Sequence, residues 1–158
     1  MAKIVKLETQ DANRCFGCGG NNEAGMRLVF DLDFDAKRTR GRFVLGANYA
    51  GGAGFAHGGI IAVVLDEAMG KISKLTEEKA VTAELNVVYR KPVPVDKEIV
   101  VEGWQEEVKG RNRFRVGEIR DVEGNLLARG TGRFVTIDQE HLGKVRAART
   151  KVWGFSNF

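Results

Sequence analysis

The sequence predicts an α+β domain in which an antiparallel sheet of about six strands wraps around one long central helix. Three observations predict it. Apolar residues alternate with polar ones in about six separate stretches, which marks half-buried strands. Only one stretch, Gly58 to about Leu75, carries apolar residues at helical steps of three and four. The last strands are joined by short turns and so run antiparallel, and a sheet with one apolar face needs the single long helix as its cover.

The elements follow in chain order. At 158 residues the chain fits one ordinary domain with a proper core. Residues 1–24 read as a loop segment that holds both cysteines, Cys15 and Cys18, and the domain itself covers residues 25–137. In "MRLVFDLDF" Met26, Leu28, Phe30, Leu32 and Phe34 alternate as a strand, and "DAK" turns it into its hairpin partner "RTRGRFVL". "GANYAGGAGF" is a glycine-rich loop too irregular for either period. In the helix, Ile61, Val64, Leu65, Ala68, Ile72 and Leu75 form one face, while Ile60 and Val63 fill another, so its first half is buried on most sides. Val81, Ala83, Leu85, Val87 and Tyr89 make the next strand, which "RKPVPV" ends because proline cannot continue a central ladder. "KEIVVEGWQEEV", "RNRFRVGEIRDV" and "NLLARGTGRFVTI", joined at "KG" and "EGN", read as an antiparallel meander. Residues 138–158 form a basic, then aromatic, tail whose Trp153, Phe155 and Phe158 are expected to pack on the body or on a second copy.

Composition narrows the function classes. No apolar run approaches the roughly 20 residues that cross a bilayer, and "MAKIVKLETQ" lacks the apolar stretch of a signal peptide. A soluble cytoplasmic protein without a membrane partner is the expectation. The net charge of +4 admits nucleic acid, an acidic membrane surface or a phosphorylated small molecule as partner. The basic residues are interleaved with Asp and Glu, which favours local basic spots and argues against a nucleic-acid partner.

The chemistry gathers on the helix. His57 precedes Gly58 and Gly59 at its start, where unpaired N–H groups and the helix dipole favour negative charge. Without side chains, the two glycines would let a carbonyl oxygen approach those N–H groups as in an oxyanion hole; the plainer reading is tight packing of the helix start. Asp66 is the sharper signal, because Ile61, Ala62, Val63, Leu65, Met69 and Gly70 surround it. A desolvated carboxylate becomes a better general base; the alternative is an ion pair, for instance with Arg90, or an interface hydrogen bond. Glu67 sits about 100° further round and reads as an exposed i,i+4 pair with Lys71. Asp66 follows His57 by nine residues, roughly 13 Å and half a circle away. One chain therefore cannot bring Gly58 and Asp66 to one reacting carbon, but two helices antiparallel across a two-fold can.

"GFAHGGIIAVVLDEAMG" followed by "AVTAELNVVYRKPVPV" resembles the hotdog-fold acyl-CoA thioesterases, in particular the phenylacetate-pathway (PaaI-like) branch. "CFGCGGNNEAGMRLVF" resembles the "CFxCGxxNxxGLxLxF" opening common there, and the likeness runs from Cys15 to Ile137. It implies a hotdog fold, dimers through edge pairing and often tetramers. It also implies hydrolysis of an acyl-CoA with no cofactor beyond the coenzyme A of the substrate. Carried to matching positions, the Gly58 N–H would polarise the thioester carbonyl and His57 would position it. Asp66 of the opposite subunit would be base or nucleophile, and Thr82 would orient water. The family often has Asn or Gln six residues before the histidine; here Gly51 stands there, and Asn48 is the nearest amide.

Two motifs remain. "CFGCGG" offers two thiols, but a zinc site needs about four ligands and no third is in view, so no metal is expected and a small lid is the reading. "VKGRNRFR" is either a solvated turn or, through Lys109 and Arg111 together with Arg90, a grip on coenzyme A phosphates. The leading expectation is a thioesterase; a non-catalytic acyl-CoA binder or sensor is the alternative.

Overall fold

The computed structural model describes residues 3–8, 13–138, 140, 142–144 and 147. The expected wrapping is present. Among the described residues one sheet of seven strands, in spatial order β1-β2-β3-β5-β6-β7-β4, curves around helix α1. The strands are β1 (Ile4–Lys6), β2 (Asp31–Asp33), β3 (Arg38–Val44), β4 (Ala80–Tyr89), β5 (Glu98–Lys109), β6 (Asn112–Asp121) and β7 (Leu126–Thr136), and α1 is Gly58–Gly70. All neighbours pair antiparallel, β5–β7 as the expected meander. A second short helix, α2 (Ile72–Leu75), follows α1 after Lys71, so the predicted helix is present in two pieces. Among the described residues no helix is long and apolar enough to cross a membrane. The packing expected of Trp153, Phe155 and Phe158 lies outside the described residues.

Helix α1 sits close to the sheet because glycines line its bed. Gly103, Gly117 and Gly130 stand side by side on β5, β6 and β7. A Cβ on Gly103 would lie 2.7 Å from the Ala68 carbonyl oxygen, and one on Gly117 or Gly130 would press on Leu65. Into this trough α1 lowers Ile61, Val64, Leu65, Ala68 and Met69, all buried. Thr39 Oγ1 adds a tie from β3 by donating to the Ala68 carbonyl at 2.7 Å.

Two expectations change at the N-terminal side. The segment read as loop contributes β1, whose exposed Ile4 and Val5 pair with Asp33 and Leu32. The strand predicted over Met26–Phe34 joins the sheet only at Asp31–Asp33. Leu28 and Phe30 are buried as alternation requires, but Arg27 takes a positive φ of 50°. The N–H groups of Met26 and Leu28 donate to the carbonyls of Phe16 and Gly17, at 2.8 Å each. The side-chain period survives there while the ladder is lost to the cysteine loop.

The outer face of the sheet is a lattice of paired charges. Arg38 and Arg40 meet Glu102 at 3.2 and 2.8 Å, and Arg42 meets Glu98 at 2.7 Å. Glu118 accepts from Arg120 and Arg129, and Arg133 meets Glu84 at 2.6 Å. Many of the basic side chains are thus answered locally by carboxylates.

Candidate active site

His57 caps α1: its extended backbone (φ −63°, ψ 138°) leads into the helix, and Nδ1 accepts from the Gly59 N–H at 2.9 Å. That bond places the ring proton of the neutral imidazole on exposed Nε2. It also engages the Gly59 N–H, which the sequence offered to substrate. The Gly58 N–H has no partner among the described residues. Gly58 lines a surface cavity of about 370 Å³ together with Phe55, Ile61, Tyr89 and Arg90. Tyr89, read from alternation as an apolar strand position, donates its hydroxyl to the Gly58 carbonyl at 3.0 Å and so steadies the first helical residue.

Asp66 lies half-buried on the flank of α1 that faces β4. Thr82 Oγ1 donates to its Oδ1 at 2.7 Å, which leaves Oδ2 without a partner among the described residues. Burial holds the Asp66 carboxyl above the usual aspartate value and the nearby Glu67 charge adds to this, against the Thr82 bond. No arginine pairs with Asp66 among the described residues; the alternative partner, Arg90, lies instead in the cavity at Gly58. The unbroken helix keeps Gly58 and Asp66 eight residues, about 12 Å, apart.

The remaining expected residues divide. Arg90 lines the Gly58 cavity with its guanidinium unpaired among the described residues. Lys109 pairs with Glu107 at 2.9 Å and lies over the Phe114 ring. Arg111 donates to the Thr136 carbonyl. Both belong to the β5–β6 turn, beside the start of β4 and far from the Gly58 end of the same chain. The turn is less basic outward than its sequence. Arg113 folds onto Glu78 at 2.5 Å, and Arg115 is buried, donating to the Met69 carbonyl and Ser73 Oγ at 3.0 Å each. Burial pushes Arg115 down to about 10. Asn48 is exposed, and its side-chain oxygen turns back over Gly46. Gly51 does lie against His57, since a Cβ there would come 3.1 Å from the His57 Cα.

Glu67 corrects a sequence reading. Its pair with Lys71 exists at 3.1 Å, but the two side chains are only 14% and 19% exposed. The cysteine loop covers them: Cys15 Sγ donates to Glu67 Oε1 at 3.3 Å, and Lys71 Nζ donates to Cys18 Sγ at 2.8 Å. Burial pushes the Cys18 thiol up to about 11. The spacing of Glu67 from Cys15, 52 residues, carries no local signal that could have revealed this contact.

A family model described as the thioesterase superfamily matches residues 53–128, from the glycine-rich loop through α1 to the start of β7. The "Acyl-coenzyme A thioesterase THEM4" of Bos taurus is 31% identical over 139 residues, 87% of this chain and 57% of that protein. Over these residues the chain is similar to the thioesterase superfamily. Its hotdog architecture recurs in the solved thioesterase superfamily protein RHA08564, with a TM-score of 0.73 at 27% identity over 78% of this chain and 60% of that one. The E. coli PaaI protein of the phenylacetic acid degradation operon shares the fold, with a TM-score of 0.61 at 15% identity over 65% of this chain and 74% of that one. The chain spans about half the length of the curated superfamily relatives it matches.

Proposed function

We propose that this protein hydrolyses an acyl-CoA thioester to the free acid and coenzyme A, in sites that two copies build together. The observation that carries the proposal is the pair of groups on α1: a free N–H at Gly58 and, about 12 Å on, a carboxylate fixed by Thr82. The relatives named as acyl-coenzyme A thioesterases support the substrate class.

The reaction uses the two groups on one thioester. The Gly58 N–H of one copy receives the carbonyl oxygen, helped by the helix N-terminus, and stabilises the charge that develops there. Nε2–H of His57, at the same mouth, guides the oxygen inward. Oδ2 of Asp66 from the other copy takes a proton from water as the water oxygen bonds to the acyl carbon. The C–S bond then breaks, the sulfur leaves as the thiolate of coenzyme A, and the proton on Asp66 passes to it. Arg90, beside the Gly58 cavity, takes coenzyme A phosphate. Lys109 and Arg111, at the Asp66 end, reach the same substrate only from the second copy.

Thiol release measured with a disulfide dye across a panel of acyl-CoAs tests the reaction. Turnover that Asp66→Asn lowers by about 10²-fold or more while acyl-CoA binding persists is the expected result. Binding by the unaltered protein without turnover would establish the acyl-CoA sensor instead, a reading favoured by Gly51, which leaves no amide against His57 to hold water.

A further inference from the structure

Cys15 and Cys18 take no part in the proposed hydrolysis, and the expectation of no metal rested on the lack of a third ligand near them. The fold supplies that ligand. Cys15 Sγ stands 3.3 Å from Glu67 Oε1, and one ligand atom from each of Cys15, Cys18 and Glu67 lies within 4.8 Å of the other two. Ligands on one tetrahedral zinc-class ion, bound at about 2.3 Å for sulfur and about 2.0 Å for oxygen, stand about 3.5–3.8 Å apart. A contraction of about 1 Å thus closes all three around one ion.

The loop is shaped to hold this geometry. A Cβ on Gly17 would strike the Glu67 carboxylate at 2.4 Å, so the absence of a side chain there lets the loop sit on it. A Cβ on Gly19 would meet the Cys15 backbone at 2.5 Å; its N–H closes the turn on the Cys15 carbonyl at 2.9 Å. Asn13 Oδ1 accepts from the Cys15 N–H at 2.9 Å. Lys71 Nζ donates to Cys18 Sγ at 2.8 Å, as an outer partner of a metal-bound thiolate does.

Charge is conserved across the binding step. With both thiols protonated, Glu67 and Lys71 cancel. A dication that displaces two thiol protons leaves the five charged groups again summing to zero: M²⁺ plus two R–SH gives M(SR)₂ plus two H⁺.

We propose that Cys15, Cys18 and Glu67 form a site for a thiophilic divalent cation of the zinc class, with Lys71 hydrogen-bonded to Cys18 and water in the fourth position. Two thiolates favour this class over magnesium or calcium. The ion pins the cysteine loop to α1, and its binding is independent of whether the protein hydrolyses a thioester.

Cobalt(II) titration of tag-free, reduced, chelator-stripped protein under inert gas tests the site. The expected result is one equivalent bound, with thiolate-to-cobalt charge-transfer absorption, the intense visible bands of four-coordination, and displacement by zinc. Cys18→Ser lowers the charge-transfer band by about half or more, and Cys15→Ser combined with Cys18→Ser abolishes it. Glu67→Gln keeps that band but weakens cobalt binding about tenfold or more, and Lys71→Met weakens it by about 10–100-fold. Unaltered protein without the charge-transfer band overturns the proposal whatever the variants do. So does Glu67→Gln that matches the unaltered protein in affinity and spectrum, since only a two-thiol chelate would then remain. Circular dichroism of each variant separates a lost ligand from a lost fold.

Discussion

Asp66 and Thr82 show how one carboxylate can be both costly and useful. An aspartate on a largely apolar helix face loses hydration, and the single hydrogen bond from Thr82 offsets part of that loss while orienting Oδ1. As the general base of the proposed reaction it would contribute about 10²–10⁴-fold, so Asp66→Asn should lower kcat by that range with KM little changed. Thr82→Val should lower kcat to a lesser degree, because it removes the orienting donor and leaves the carboxylate. Steady-state kinetics on both variants checks this, and a KM effect with unaltered kcat would instead place Asp66 in substrate binding. The placement of His57, Gly58 and Asp66 along α1 was readable from the sequence because a helical period fixes relations between residues a few turns apart. Arg115 was not. It reads as part of a basic turn, yet it leaves that turn to reach Met69 and Ser73, 46 and 42 residues away.

At the scale of elements, α1 and the long strands were readable because their periods are local and sustained. The three residues of β1 were not, since both apolar positions are exposed and only pairing with β2 makes them a strand. The glycine trough escaped for a different reason: Gly103, Gly117 and Gly130 mean little until register aligns them. Their packing is testable. Gly103→Ala should destabilise the fold by about 1–3 kcal/mol, because the Cβ meets a backbone carbonyl that cannot move aside. Gly117→Ala should cost less, since the Leu65 side chain, 3.2 Å away, can adjust. Urea midpoints at unchanged m decide the order. The outer lattice makes a separate prediction. Burial works to raise Glu118, but hydrogen bonds from Arg120 and Arg129 outweigh it and hold the carboxyl below its ordinary 4.5. The hydrogen bond from Arg133 likewise lowers Glu84. Carboxylates depressed in the fold stabilise it above their unfolded pKa, and that stability is lost as pH falls through the folded values. The melting temperature should therefore hold from pH 7 to about 5 and fall below about pH 4.5. Glu118→Gln should flatten that fall, and an equally steep decline would show that the lattice does not control it.

At the scale of the whole molecule, the single chain leaves the groups of the proposed reaction apart and, among the described residues, one long sheet edge open. β4 ends the sheet opposite β1, and along it Val81, Val88 and Tyr89 are 49%, 41% and 52% exposed. An open, partly apolar edge of this length is a template for pairing. A second copy across a two-fold would cover it while bringing Asp66 of each chain toward Gly58 of the other. Two inactive variants then make a decisive mixture. Gly58→Pro removes the polarising N–H at the first helical position, where proline is tolerated. His57, at ψ 138°, already has the backbone a residue before proline requires. Asp66→Asn removes the base. In a heterodimer of the two, one site combines both defects and the other retains an unaltered Gly58 and an unaltered Asp66. An equal mixture that exchanges subunits at random is half heterodimer, with one working site of two, so it should recover about a quarter of the original activity. Recovery that grows with the time allowed for exchange, read by thiol release, supports the shared site. Two variants that stay inactive after exchange, with heterodimers confirmed by native mass spectrometry, would return both groups to a single chain.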